Sequence, residues 1–252
     1  PTESLRLYAS AGKGFETPTL NEISYRANGQ PGLALNLDPS RSNNYELGVK
    51  WHPAGGVQLE AALFRASSRD ELAVARNTGG RSSFQNIDRT RRQGFEVEAS
   101  VPLPHSLELS ASFTLLSAQF RSGFLVCVVA GCTVPNVAVA AGSRIPGVAK
   151  RQGDLRLEWK PAGWSTALEL SGISSLVVND IGTEAAPGHG LVNIEAGHDL
   201  SIGRSTVRAF ARIENLLDKR YIGSVIVNEG NQRFYESGTE RSAMLGFQWQ
   251  WR

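Results

Sequence analysis

Residues 106–115 read SLELSASFTL, and the order of those side chains decides the kind of backbone that can carry them. Leu107, Leu109, Ala111, Phe113 and Leu115 alternate with Ser106, Glu108, Ser110, Ser112 and Thr114. An extended strand points successive side chains to opposite faces, so a period of two puts an oily row on one side and a polar row on the other. The pattern recurs along the chain. NYELGVKW sets Tyr45, Leu47, Val49 and Trp51 against Asn44, Glu46, Gly48 and Lys50. GFEVEASV sets Phe95, Val97, Ala99 and Val101 against Gly94, Glu96, Glu98 and Ser100. In DLRLEWK the rows are Leu155, Leu157 and Trp159 against Asp154, Arg156, Glu158 and Lys160; in MLGFQWQW they are Leu245, Phe247, Trp249 and Trp251 against Gly246, Gln248 and Gln250.

Alternation fits a soluble sandwich or a membrane barrel, and the connections arbitrate. One set is short and rich in turn formers: HPAGG at 52–56, PLPH at 102–105, KPAG at 160–163, and the stretch around Ile202 to Ser205. The other set is long and irregular, near 13–39, 73–82, 122–146, 178–187 and 228–237. Short and long alternate, as tight turns and long loops do at the two ends of an outer-membrane barrel. The expectation is an all-β fold, an antiparallel transmembrane β-barrel wall with strands near 3–12, 40–51, 57–72, 83–101, 106–121, 147–160, 164–177, 188–200, 205–226 and 238–252. Trp51, Trp159, Trp164, Trp249 and Trp251 then fall near strand ends, where interfacial aromatic girdles sit.

The 252 residues are 41% hydrophobic and 20% charged, with 26 Gly, one Met and a net charge of only +2. Basic and acidic residues are interleaved, which speaks against nucleic-acid binding. No stretch approaches the roughly 18 apolar residues of a membrane-spanning helix. The polar rows collect Glu46, Glu60, Glu96, Glu98, Glu108, Glu158, Glu169 and Glu195 with Arg156, Arg208 and Arg212. So many ionised groups need water or a polar plug. A wide barrel of about 22 strands provides that room, so the chain is expected to be part of a larger sheet. Pro1 is followed by no signal-peptide pattern, so a signal peptide is expected to be absent or removed upstream. Cys127 and Cys132, close together in VCVVAGCTVP, are expected to form a loop disulfide in an oxidising compartment. His52, His105, His189 and His198 are scattered and no nucleophile accompanies them, so no enzyme, cofactor or metal site is expected.

Four segments in order resemble the TonB-dependent receptors of the bacterial outer membrane. YASAGKGFETPTLNE carries the family's Gly-Phe followed by Pro-Thr-Leu and an acid, at Gly14, Phe15, Pro18 and Glu22. DPSRSNNYELGVKW matches its descending strand at Tyr45, Glu46 and Gly48; RRQGFEVEAS is similar to its R-x-G-x-E strand at Gly94 and Glu96. RIENLLDKRY resembles its penultimate strand at Asn215, Leu216, Asp218 and Tyr221. The resemblance implies a receptor that imports a scarce nutrient, most readily a ferric siderophore, energised by TonB through a plug domain lying outside residues 1–252. It implies outer-membrane lipid and the barrel-assembly machinery as further partners, and barrel-building roles for the motif residues. Asn215 and Asp218 are expected to satisfy backbone groups at a strand exit, and Gly48 and Gly94 to relieve crowding against a plug or ease bending. A self-contained outer-membrane pore or enzyme is the alternative.

A ligand meets the long loops first. Tyr25, Arg26 and Asn28 in the first loop, with Arg233 and Tyr235 in the last, suit an anionic, aromatic-bearing ferric siderophore through charge and stacking. The absence of a loop histidine after the Glu16-Thr17-Pro18 segment disfavours haem.

Overall fold

A computed structural model describes residues 4–26, 32–78, 80–129, 132 and 134–251. Ten long strands form one antiparallel sheet. They are β1 (Leu5–Glu16), β2 (Ser40–Trp51), β3 (Gln58–Thr78), β4 (Arg81–Leu103), β5 (Leu107–Phe120), β6 (Arg151–Trp159), β7 (Trp164–Ile173), β8 (His189–Ile202), β9 (Ser205–Glu214) and β10 (Ser242–Trp251). Each strand pairs with the next in the chain, and the edges are β1 and β10. Helix is confined, among the described residues, to the single turn Leu20–Ile23.

The register carries the two rows across the whole sheet, because directly paired residues share a face. Leu47 pairs with Leu63, Leu63 with Phe95 and Phe95 with Leu115. Farther on, Ala111 pairs with Leu155, Leu155 with Leu170, Leu170 with Val192, and Ala209 with Phe247. Phe247 is 80% exposed and Trp249 69%. A soluble sandwich would bury such rings in its core; here they stand open on one face of the sheet. The short turns are locked by left-handed backbone, at Gly55 and Gly56, His105 and Ser106, Ala162 and Gly163, and Gly203.

Several boundaries differ from the alternation pattern. β1 continues to Glu16, because Gly14, Phe15 and Glu16 stay paired with Ser42, Arg41 and Ser40. The irregular loop expected at 73–82 is instead the projecting tip of one long hairpin, paired out to Thr78 and Arg81 through a bulge between Val74 and Arg76. The strand expected over 205–226 stops at Glu214, since Asn215 turns left-handed with φ 50°. Three two-stranded ribbons, Phe124–Val126 with Val137–Val139, Leu176–Val177 with Ala185–Ala186, and Ile222–Val225 with Tyr235–Ser237, occupy the long connections. Around them lie the buried apolar clusters of the described residues: Ile87, Phe120, Val126 and Val139 in one, Val178, Ala186 and Phe234 in the other.

Candidate functional site

Every charged residue expected in the polar rows lies on one face of the sheet, and most are tied laterally across strands. Arg212 is the hub: it reaches Glu169 on β7 at 2.7 Å, Glu195 on β8 at 3.2 Å and Glu214 at 3.1 Å. Arg156 bridges Glu169 and Glu158, the second at 3.2 Å, and Lys160 meets Glu158 at 2.9 Å. Arg208 donates to Glu195 at 3.4 Å and to Ser165 at 3.0 Å. On β2 and β3, Lys50 pairs with Glu60 at 2.5 Å. Charges joined across neighbouring strands hold register while leaving carboxylate edges free to meet water or a polar occupant.

Between these ion pairs, aromatic rings lie flat over glycines of the adjacent strand. The Tyr8 ring fills the place a Cβ would take at Gly48, and its hydroxyl donates to Glu46 at 2.6 Å. The Phe64 ring does the same at Gly94, where an added Cβ would come within 2.8 Å of ring carbon and also strike the Leu115 carbonyl. Phe210 covers Gly246 likewise. A ring from a neighbouring strand thus crowds each of these glycines within the sheet itself.

The other motif residues build joints. Glu22 accepts from the Thr19 amide at 2.7 Å and the Thr19 hydroxyl at 2.8 Å, closing a capping box on the helical turn. Pro18 precedes it, while Phe15 and Tyr45 lie exposed on the apolar side and Glu96 is exposed on the polar one. Asn215, 3% exposed, receives the Lys219 amide at 2.9 Å and donates to the carbonyls of Lys219 at 2.9 Å and Thr239 at 3.1 Å. Its own amide donates to the Asn193 side chain at 2.9 Å, and the Leu216 amide donates to the Val192 carbonyl at 2.7 Å. Asp218 accepts from the Arg241 amide at 3.0 Å. The Tyr221 ring lies against Gly238 and 4.5 Å from the ring of His189.

The candidate ligand contacts sit at the long-loop end. Arg26 donates to the Leu33 carbonyl at 3.1 Å, and the Arg81 guanidinium lies 5.3 Å from the Tyr25 ring, cation–π range. Asn28 lies outside the described residues. Arg233 is exposed. The Tyr235 hydroxyl donates to the Ala185 carbonyl at 3.2 Å and faces Glu184; burial and that carboxylate push its pKa up. The structure thus ties Tyr25 to the tip of the β3–β4 hairpin and Tyr235 to the β7–β8 connection. Cys127 and Cys132 are joined as a disulfide in the β5–β6 connection, where the Cys132 carbonyl accepts from Arg76.

Sequence reasoning passed over the residues that lock these loops together. Asn228 donates to the Val74 carbonyl at 2.8 Å and to the Asp180 carboxylate at 3.0 Å, and accepts from the Asp180 amide at 3.0 Å. Asn77 donates to the Val227 carbonyl at 2.6 Å. Asp180 is 5% exposed, and burial raises its pKa to about 6 against the opposing pull of the Asn228 amide. The signal available was the turn-prone VVND and VNEGN segments, in which Asn and Asp tolerate left-handed backbone; Asn228 has φ 54°. Asp180 and His189 have different neighbours: Asn228 for one, Tyr221 for the other.

Residues 1–216 match the family model described as "TonB dependent receptor-like, beta-barrel". The ferrioxamine B receptor of Salmonella typhimurium (strain SL1344) is 26% identical over 220 residues, which are 84% of this chain and 28% of that receptor. A probable TonB-dependent siderophore receptor, PiuA, of Acinetobacter baumannii is 24% identical over 234 residues, 88% of this chain and 29% of that protein. The solved ferric citrate transporter FecA, in its unliganded form, superposes with a TM-score of 0.75 at 19% identity, covering 99% of this chain and 36% of that one. The last likeness is one of fold. The chain spans less than a third of the length of the two curated relatives.

Proposed function

The chain belongs to the TonB-dependent receptor family, and from that premise we propose that the whole protein is an active-transport receptor for a ferric siderophore, energised through TonB. Family members are outer-membrane transport receptors rather than enzymes, so this is an outer-membrane protein and the enzyme alternative is set aside. The observation that carries the reading is the two-faced ten-stranded sheet: one side apolar from β1 to β10, the other laced by Arg212, Arg156, Lys50 and their glutamates. In the proposed receptor the sheet is the C-terminal portion of a 22-stranded barrel, a count taken from the general geometry of such transporters. The laced face turns to a wet lumen holding a plug domain outside residues 1–252, and the plug is the part TonB engages. Barrel-assembly machinery inserts the wall, and outer-membrane lipid surrounds it.

The siderophore class is supported by the names of the relatives, a ferrioxamine B receptor and a probable siderophore receptor. In this reading Tyr25, Arg26, Asn28, Arg233 and Tyr235 meet the ligand, guanidinium groups facing its anionic oxygens and phenol rings its flat surfaces. The test is uptake of radioactive iron presented as separate siderophores to cells carrying the intact receptor, with and without TonB. One complex is expected to accumulate only when TonB is present. Accumulation indifferent to TonB, or of no iron complex at all, would overturn the proposal.

A further inference from the structure

Arg92, Arg156, Arg208 and Arg212 are paired with acids on the polar face. Six other arginines lie on the opposite side. On the apolar side of β2, β3, β4 and the end of β5, the register sets Arg41 opposite Arg69 and Arg69 opposite Arg89, and the Arg121 amide donates to the Arg89 carbonyl at 2.7 Å. Four guanidinium groups therefore form one lateral row across four strands. Arg65 lies lower on β3, and Arg91 one pairing step below Arg89 opposite Gln119.

Like charges directly opposite each other across strands destabilise a sheet, and here the protein does little to offset them. Among the described residues, only Arg89 of the six has an ion-pair partner, Asp88 at 3.2 Å. The Nε of Arg91 is shielded from solvent and has no hydrogen-bond partner. Five of the six side chains are nonetheless exposed, pointing away from the sheet. An anion outside the protein would relieve the repulsion along such a row.

Its height says what that is. On β5 the apolar row runs from Leu107 to Leu115, about 27 Å of strand at roughly 3.4 Å per residue. With a tilt of about 40° it covers most of the apolar band of about 25 Å in an outer-membrane barrel. β2 turns polar after Tyr45, β3 after Leu63, β4 after Phe95 and β5 after Leu115, four residues paired in adjoining rows. The arginine row begins past that border, on the side of the long loops. It therefore stands at the headgroup level of the outer leaflet. Guanidinium groups bind phosphate through paired N–H donors, and clusters of four or more cationic side chains beside a membrane recognise anionic headgroups.

We propose that Arg41, Arg69, Arg89 and Arg121, with Arg65 and Arg91 below them, form a binding site on the outer wall for the phosphates of a lipid headgroup in the outer leaflet. The site is separate from the lumen and independent of which nutrient is carried. A bis-phosphorylated lipid suits a row of this length better than a single phosphate.

The intact receptor in mild detergent, titrated with bis-phosphorylated lipid A and read by native mass spectrometry, tests the site. Wild type is expected to hold at least one lipid A molecule, and the triple variant Arg69→Gln, Arg89→Gln, Arg91→Gln to bind it about a hundredfold more weakly. Arg69→Gln alone, which leaves strand pairing intact, is expected to weaken binding about fivefold and carries the test if the triple variant fails to assemble. The triple Arg→Lys variant keeps most of the affinity. Unchanged lipid A affinity in the Gln variants overturns the proposal, as does full displacement by inorganic phosphate at equal concentration. An acidic protein retained on the row in place of lipid overturns it too.

Discussion

On β6 and β7, Leu155, Leu157, Leu168 and Leu170 are each about 40% exposed on the outward face, while in the loops at one end of the same sheet Val178 is fully buried beside Ala186 and Phe234. The two regions hide apolar surface in opposite directions because they answer to different solvents. In the proposed receptor the wall gives its leucines to lipid and turns most of its acids to the interior, so it has no core of its own. The cap formed by the long connections stands in water, and it assembles two small cores of the ordinary inward kind under a lattice of Asn and Asp hydrogen bonds. The difference teaches that the wall's stability depends on its surroundings and the cap's on its own packing.

Substitutions that exchange the two environments test this most severely. Leu155→Arg places a charge against the middle of the lipid band and is expected to destabilise the folded barrel by about 3 kcal/mol. Ser112→Arg, on the opposite face and paired with Asp154, is expected to cost little. Urea unfolding of the intact receptor in lipid vesicles measures both, and equal penalties would break the assignment of faces. Next in size, Gly94→Val drives a branched side chain into the Phe64 ring and the Leu115 carbonyl, with an expected loss of about 2 kcal/mol in the same assay. Gly55→Ala meets no atom within 4 Å, and its cost is confined to the strain of a side chain at φ 91° in a turn, about 1 kcal/mol.

The remaining predictions fall on the cap. Asn228→Ala strips partners from the Val74 carbonyl and from Asp180, and hydrogen exchange is expected to show the loops opening more easily by about 1.5 kcal/mol while the wall amides stay protected. Smallest is a pH effect. Burial raises the Asp180 pKa from 3.8 to about 6, so the folded cap prefers the protonated acid. That stabilisation is complete below the unfolded value and is lost as pH rises through about 6. The cap is therefore expected to be looser at pH 7 than at pH 5 by about 1 kcal/mol. Asp180→Asn removes the dependence; an unchanged pH profile in that variant would assign it to another group.

The same contrast explains what the amino-acid order disclosed. In the wall, each strand repeats one instruction residue after residue, so SLELSASFTL or MLGFQWQW is legible without any partner. The tip of the β3–β4 hairpin was not, because AVARNTGGRS has no clean alternation and the bulge at Val74 shifts what remains. In the cap, stability comes from single polar atoms meeting over great separations: Asn228 and Val74 are 154 residues apart. No local pattern announces such a pair. The ring-over-glycine contacts were half visible, since Gly48 and Gly94 stood out while Tyr8 and Phe64 did not. The arginine row was invisible for a related reason, because Arg41, Arg69, Arg89 and Arg121 become neighbours only once the register is known.

The joint around Asn215 bears on timing. Its bonds to Asn193 and Thr239, and that of Asp218 to Arg241, close loops of 22, 24 and 23 residues, whereas the cap waits on contacts more than six times as distant in the chain. Loop-closure entropy favours the shorter ones first. The last three strands can thus lock their alignment as a unit while the rest of the chain is still searching. An error of register is then settled among these three strands, early, instead of being inherited by the finished wall.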